Sequence, residues 1–248
     1  MNGTPPRFVF RGHATGMSMR LTKIGDQVVN LVSPVHGDSC LPATGGHTTT
    51  VVAGSDRFFD PHFSYDECST ATHGTGDPND PDGEFVTAVT AVVNNLRITE
   101  VPSPGEGVGE NVFRVQKLSL GLQSTFPPKP VKFPTIGFTE LNPYVNMSLN
   151  DLPITLELDL ALMAPQVRGP ITGGPQAGTI VKSVTWDGNV IPGNVLKRTG
   201  FGVIYFGETL ISDYELRVTL LRFKLGSSPS GDGTGGDGSA NGSPIPPR

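Results

Sequence analysis

Apolar residues recur at every second position through most of this chain. Ile154, Leu156, Leu158, Leu160 and Leu162 alternate with Thr155, Glu157 and Asp159, which predicts a strand with one buried face. The stretch from Thr179 to Gly226 reads as two successive hairpins. Thr179 to Trp186 is β-branched and aromatic, Asp187-Gly188 suits a two-residue type I′ turn, and Asn189, Val190 and Ile191 lead back. After Pro192-Gly193 the chain runs through Gly202 to Phe206, reverses near Ser212-Asp213 and returns as Leu216 to Leu225. In that last run Leu221, Phe223 and Leu225 alternate with Val218, Leu220, Arg222 and Lys224, predicting one apolar face and one that turns mixed and basic. The Ile154 run is expected to pair with these hairpins.

Upstream the same period predicts a short strand from Arg7 to Arg11, a second from Ala14 to Leu21, a third over Gln27–Val32 and a fourth over Thr48–Ala53. Phe85 to Ile98 contains alanines, but Val and Thr dominate it and favour a long strand over a helix. Asn111 to Leu122 is the next strand. Between residues 33 and 84 the sequence is rich in Gly, Asp, Pro and Ser and reads as a long loop region. Residues 126–134 hold too many prolines for a central strand and read as a stiff connector. Residues 227–248 are mostly Gly, Ser, Pro and Asp and read as a flexible tail.

The expected fold is therefore all-β: an antiparallel β-sandwich or two packed β sub-domains. The halves span residues 1–125 and 135–226, on either side of the connector. Composition agrees, since 32 glycines and 23 prolines are too many breakers for a helical protein. A net charge of -5 argues against nucleic acid and anionic membrane as partners. No run approaches the roughly 18 apolar residues of a membrane-spanning helix, and Met-Asn-Gly-Thr-Pro-Pro at the start lacks the regions of a signal peptide.

Candidate chemistry is sparse. Cys40 and Cys68 lie in a polar region where a disulfide, adding about 3 to 4 kcal/mol by chain entropy, is the favoured reading. His13, His36, His47, His62 and His73 all fall early, but no two have the spacing that places two imidazoles on one metal from one element. Asp77, Asn79, Asp80, Asp82 and Glu84 supply spaced oxygens before and after a glycine, as a Ca²⁺ loop does, without the full pattern of an EF-hand. No nucleophile elbow, phosphate loop or dinucleotide fingerprint occurs, so a non-enzyme is expected, with no catalytic residue. Glu157 and Asp159 share one strand face at a spacing of two, as a glycosidase pair could, and a solvated face explains them. Asn2, Asn146 and Asn241 stand in glycosylation sequons.

Phe10-Arg-Gly-His-Ala-Thr-Gly16, the run from Thr87 to Ile98, and Phe113-Arg-Val-Gln-Lys-Leu-Ser-Leu120 resemble the β-rich body of secreted bacterial surface proteins of the choice-of-anchor kind. The resemblance spans about the first 120 residues; it implies an exported structural or adhesive protein and transfers no catalytic residue. The expected function is a structural subunit of an extracellular or virion surface, a homo-oligomer or polymer joined through β-edges and termini. Arg7, Phe8, Val9, Phe10, Arg222 and Lys224 are its candidate interface. The alternatives are a glycan- or Ca²⁺-dependent binding module built on the 33–84 loops, for which Trp186 and Tyr65 give only a thin aromatic platform, and a metal-dependent hydrolase.

Overall fold

In the computed structural model, residues 8–24, 27–54, 63–77, 80, 83–100, 111–127, 133–226 and 230–244 are described. In chain order the strands are β1 (Phe8–Ile24), β2 (Gln27–Val32), β3 (His36–Cys40), β4 (Gly46–Ala53), β5 (Phe63–Ser64), β6 (Glu67–Thr75), β7 (Phe85–Glu100) and β8 (Asn111–Phe126). There follow β9 (Thr135–Phe138), β10 (Tyr144–Leu149), β11 (Leu152–Leu158), one short helix α1 (Leu160–Met163), β12 (Gln166–Val167) and β13 (Gln176–Thr179). The rest are β14 (Val181–Trp186), β15 (Asn189–Pro192), β16 (Val195–Arg198), β17 (Gly202–Ser212), β18 (Glu215–Gly226) and β19 (Ser230–Pro244).

These strands make two antiparallel sheets packed face to face, as the alternating pattern requires. Sheet A runs β13-β17-β18-β19-β1-β2, with β3 also on β1 and β16 on β17. Sheet B runs β15-β14-β11-β10-β8-β7-β6-β4, with β5 on β7 and β9 joining β8 to β12. Sheet A thus closes strands from both chain ends, and sheet B takes the middle. The core between them is built on Phe113, Phe201, Phe206, Phe223 and the leucines of β7, β8 and β18. A second cluster, Phe8, Phe10, Leu41, Phe85 and Phe126, seals one end, with Phe8 and Phe85 stacked at 4.2 Å. Tyr144 on sheet B donates its hydroxyl proton to the Leu220 carbonyl of sheet A at 2.7 Å, a buried tie between the layers.

Both predicted hairpins are present. Asp187 and Gly188 take φ of 50° and 71° at the β14–β15 turn, as a type I′ turn demands. The β11–β14 pairing is also present, Ile154 opposite Trp186. The alternation at Ile154–Leu162 stops earlier than its pattern, because the Asp159 side chain accepts from the N–H groups of Ala161 and Leu162 and starts α1. Phe8–Arg11 and Ala14–Leu21, expected in two separate strands, belong to the single strand β1.

Several other expectations are corrected. The loop region 33–84 contains, besides the expected β4, the strands β3, β5 and β6, while residues 55–62, 78–79 and 81–82 lie outside the described residues. In β3 and β6 the inward positions hold small polar groups, Ser39 on β3 and Thr70 and Thr72 on β6, rather than the large apolar ones a strand pattern relies on. Ser39 and Thr70 satisfy one another across the sheets at 2.8 Å. Of the proline connector, residues 128–132 lie outside the described residues.

The largest correction is at the C-terminus. Residues 230–244 are no flexible tail but the central strand β19, paired with β1 on one side and β18 on the other. The physical reason is the space that glycine leaves. Its inward positions are Gly231, Gly233, Gly235, Gly238 and Ala240, and a Cβ on Gly233 would stand 2.4 Å from the Phe223 ring and 2.7 Å from the Ser18 carbonyl. Large neighbours such as Phe223, Met17 and Leu120 fill what β19 lacks, so the two sheets close over a strand that has almost no apolar side chain of its own.

One feature spans both sheets. The β7–β8 ladder steps from Asn94 opposite Lys117 to Leu96 opposite Val115, passing over Asn95 and Gln116, and the β8–β10 ladder passes over Gln116 and Asn146. In sheet A the ladders pass over Gly207, Leu220, Gly236 and Gly16 in the same way. Asn95, Asn146, Gly207 and Gly236 all sit at positive φ. Each such row reverses the side-chain alternation in every strand it crosses, so Val218 and Leu220 face inward before it and Leu221, Phe223 and Leu225 after it. That is why the two apolar sets of β18, opposed by strict alternation, are both buried.

Candidate functional site

Each predicted site residue has a definite place. Cys40 and Cys68 are free thiols, so the expected disulfide is absent. Cys68 points between the sheets against Gly16 and Gly37, with its S–H directed to the His36 carbonyl at 3.2 Å, whereas Cys40, farther along β3, is exposed. Burial pushes the Cys68 thiol up to about 12, aided by the neighbouring Glu67 charge. Phe8 and Phe10, expected at an interface, are 2% and 1% exposed and belong to the end cluster, and β1 has partners on both sides. The N-terminal strand is therefore no free edge. Arg7 lies outside the described residues, and Val9 is half-buried.

Arg222 and Lys224 lie on the outer face of sheet A, where Lys224 is exposed. Arg222 donates two 2.6 Å hydrogen bonds to Glu208 and covers the Tyr205 ring at 3.7 Å, and the Glu208 contact holds its pKa above the ordinary range. Nearby Arg217 meets Asp237 at 3.4 Å, Thr219 donates to Asp237 at 2.9 Å, and His13 meets Asp38 at 2.7 Å. This face is charged and internally paired.

Asp77 and Asp80 form a turn in which the Asp80 N–H donates to the Asp77 carbonyl at 2.9 Å; Glu84 directly precedes β7, and Asn79 and Asp82 lie outside the described residues. Among the described residues no group of three or more His, Cys, Asp or Glu is placed to hold a metal ion. Tyr65 is buried with its hydroxyl 2.6 Å from His36, so it offers no ring to a sugar, while Trp186 donates to the Leu149 carbonyl at 3.4 Å and lies under Arg198. Of the sequons, Asn146 is exposed, Asn241 is 7% exposed within β19, where a glycan does not fit, and Asn2 lies outside the described residues.

The outer face of sheet B at its β4 end has the opposite character to sheet A. The ladders set Val51, Ser69 and Val92 in one row, Thr49, Ala71 and Thr90 in the next, and His47, His73 and Ala88 in a third. None of these carries a fixed charge. Among the described residues β4 pairs with β6 alone, and it has neither proline nor charged side chain. Its inward Thr48 and Thr50 hydroxyls donate to the carbonyls of Cys40 and Asp38 at 2.9 and 2.7 Å, covering the edge of β3. Among the described residues nothing pairs with the other edge of β4, and Val51 is 61% exposed beside it. Sheet edges in soluble proteins are normally blunted by charge, proline or bulges, and this one has none of these. The sequence signal was available, an uncharged Thr-Thr-Thr-Val-Val run, but only the sheet order shows that it lies on an edge.

The model of a family described as a domain of unknown function (DUF8256) matches residues 8–172. The chain belongs to this family. The DUF8256 match takes in β1 to β12, with the β4 edge and its uncharged rows, and ends before β13. The strands that flank and complete sheet A, β13 and β16 to β19, follow it. No curated protein and no solved structure matches the chain.

Proposed function

We propose that this protein is a non-enzymatic structural subunit that self-associates through the open edge of β4. The observation that carries the reading is the combination of an eight-residue edge strand, free of charge and proline, with the uncharged rows of His47, Thr49 and Val51 behind it, bounded by Glu67 opposite Ala53. A second copy docking antiparallel along β4 adds its own β4 to sheet B by main-chain hydrogen bonds. The pairing is isologous, and it sets no like charges opposite one another because the strand carries no fixed charge. The charged face of sheet A, its ion pairs already closed, stays in water. Phe8, Phe10 and β19 take no part in this contact, since they are built into the sandwich. The resemblance of the N-terminal sequence supports an extracellular setting for the subunit, and the many-stranded fold suits a surface or virion shell alike.

Light scattering over a range of concentrations, in the presence of EDTA, tests the proposal. The wild type is expected to associate, and Val51→Lys to raise the dissociation constant about tenfold or more by opposing like charges across the pair. A wild type that stays monomeric throughout, or association indifferent to Val51→Lys, overturns it.

A further inference from the structure

We infer that His47 and His73 form a two-histidine chelate for a borderline-soft divalent cation, with Zn²⁺ as the ion to test. They are directly opposite in the β4–β6 ladder, both exposed, with ring centroids 5.9 Å apart and planes inclined by 75°. Imidazole nitrogen is a preferred Zn²⁺ ligand, and two rings converging from neighbouring strands supply two of its positions, leaving the outward ones to water. The Thr49 hydroxyl lies 2.6 Å from Nε2 of His47. With Nε2–H donating to that oxygen, Nδ1 of His47 keeps its lone pair for a metal, which is the orienting arrangement that metal-bound histidines commonly have. The surroundings suit a cation of this class. Thr49, Ala71, Thr75, Val86 and Ala88 are the adjoining positions of the same ladders, so these described neighbours bring no ammonium or guanidinium to repel the ion and no carboxylate to offer the oxygen-rich shell that Ca²⁺ or Mg²⁺ prefers. The other described histidines are differently engaged: His36 is buried against Tyr65, and His13 is held by Asp38. Because two neutral imidazoles are required, binding weakens as protons compete on acidification.

This inference does not depend on self-association. Untagged full-length protein is titrated with Zn²⁺ against a chromophoric chelator. The wild type is expected to take up one ion, His47→Ala and His73→Ala each to lose that uptake, and Thr49→Val to weaken it about tenfold. Circular dichroism checks that the variants stay folded, as expected for exposed positions. No uptake by the wild type, uptake that survives either histidine substitution, or uptake lost only in His13→Ala would overturn the assignment.

Discussion

At the scale of single residues, the two cysteines show how far environment outweighs identity. Both are thiols in polar sequence, yet Cys40 is exposed and Cys68 is packed between the sheets. A thiol reagent should therefore label one cysteine in the native protein and the second only on unfolding, and mass spectrometry should place the native label on Cys40. The folded pKa of Cys68, about 12, lies above its usual 9.0, so the folded state holds the proton more tightly than the unfolded chain. That contribution to stability is complete below about pH 9 and is lost as pH rises towards 12. Tyr144, raised by burial above its usual 10.0, adds a loss of the same sign at higher pH. Melting temperatures should fall between about pH 8 and about pH 11. The fall should begin later in Cys68→Ala, and coincident curves would refute the assignment. None of this was legible in the sequence, which places both cysteines among Asp, Gly and Ser and says nothing about which faces the core.

Among the elements, β19 is the one whose chemistry reads differently once its neighbours are known. Glycine at Gly231, Gly233 and Gly235 alternates with Asp232 and Thr234, then Gly238 and Ala240 with Asp237 and Ser239, so the strand period is present with glycine in the apolar role. A hydrophobic pattern cannot detect it, because glycine contributes no apolar surface of its own and the buried area belongs to Phe223, Met17 and Leu120. Gly233→Val would drive its side chain into the Phe223 ring and the Ser18 carbonyl, and should cost about 3 kcal/mol or more. Ser239→Thr, on the outer face, should change stability by no more than about 0.5 kcal/mol. Urea unfolding midpoints compare the two, and equal effects would remove the packing argument. β1 shows the same limit from the other side: its alternation changes at Gly16, in the row of Gly236, so that Ala14 before it and Met17 after it both face inward, which strict alternation does not anticipate.

For the whole molecule, pairing of β1 with β19 and of β19 with β18 makes sheet A dependent on both ends of the chain. Deleting residues 230–248 should therefore abolish the cooperative melting transition seen by near-ultraviolet circular dichroism; an unchanged transition would mean that β19 is dispensable. The polarity of the sandwich also belongs to this scale. A charged face on sheet A, with ion pairs closed between its strands, lies opposite a face of sheet B whose rows at His47, Thr49 and Val51 carry no fixed charge and which ends at β4, an edge among the described residues. By itself the sequence determined the all-β class, both C-terminal hairpins and the long strands β7 and β8, because alternation and turn chemistry act between residues close in the chain. It also carried the residues of the β4 edge and of the histidine pair. Only the tertiary structure decided which strand is central and which lies at an edge, which histidines face each other, and that the cysteines are apart. Those outcomes depend on which strand lies beside which, and residues as far apart as Phe8 and Pro244 share a ladder that no local pattern encodes.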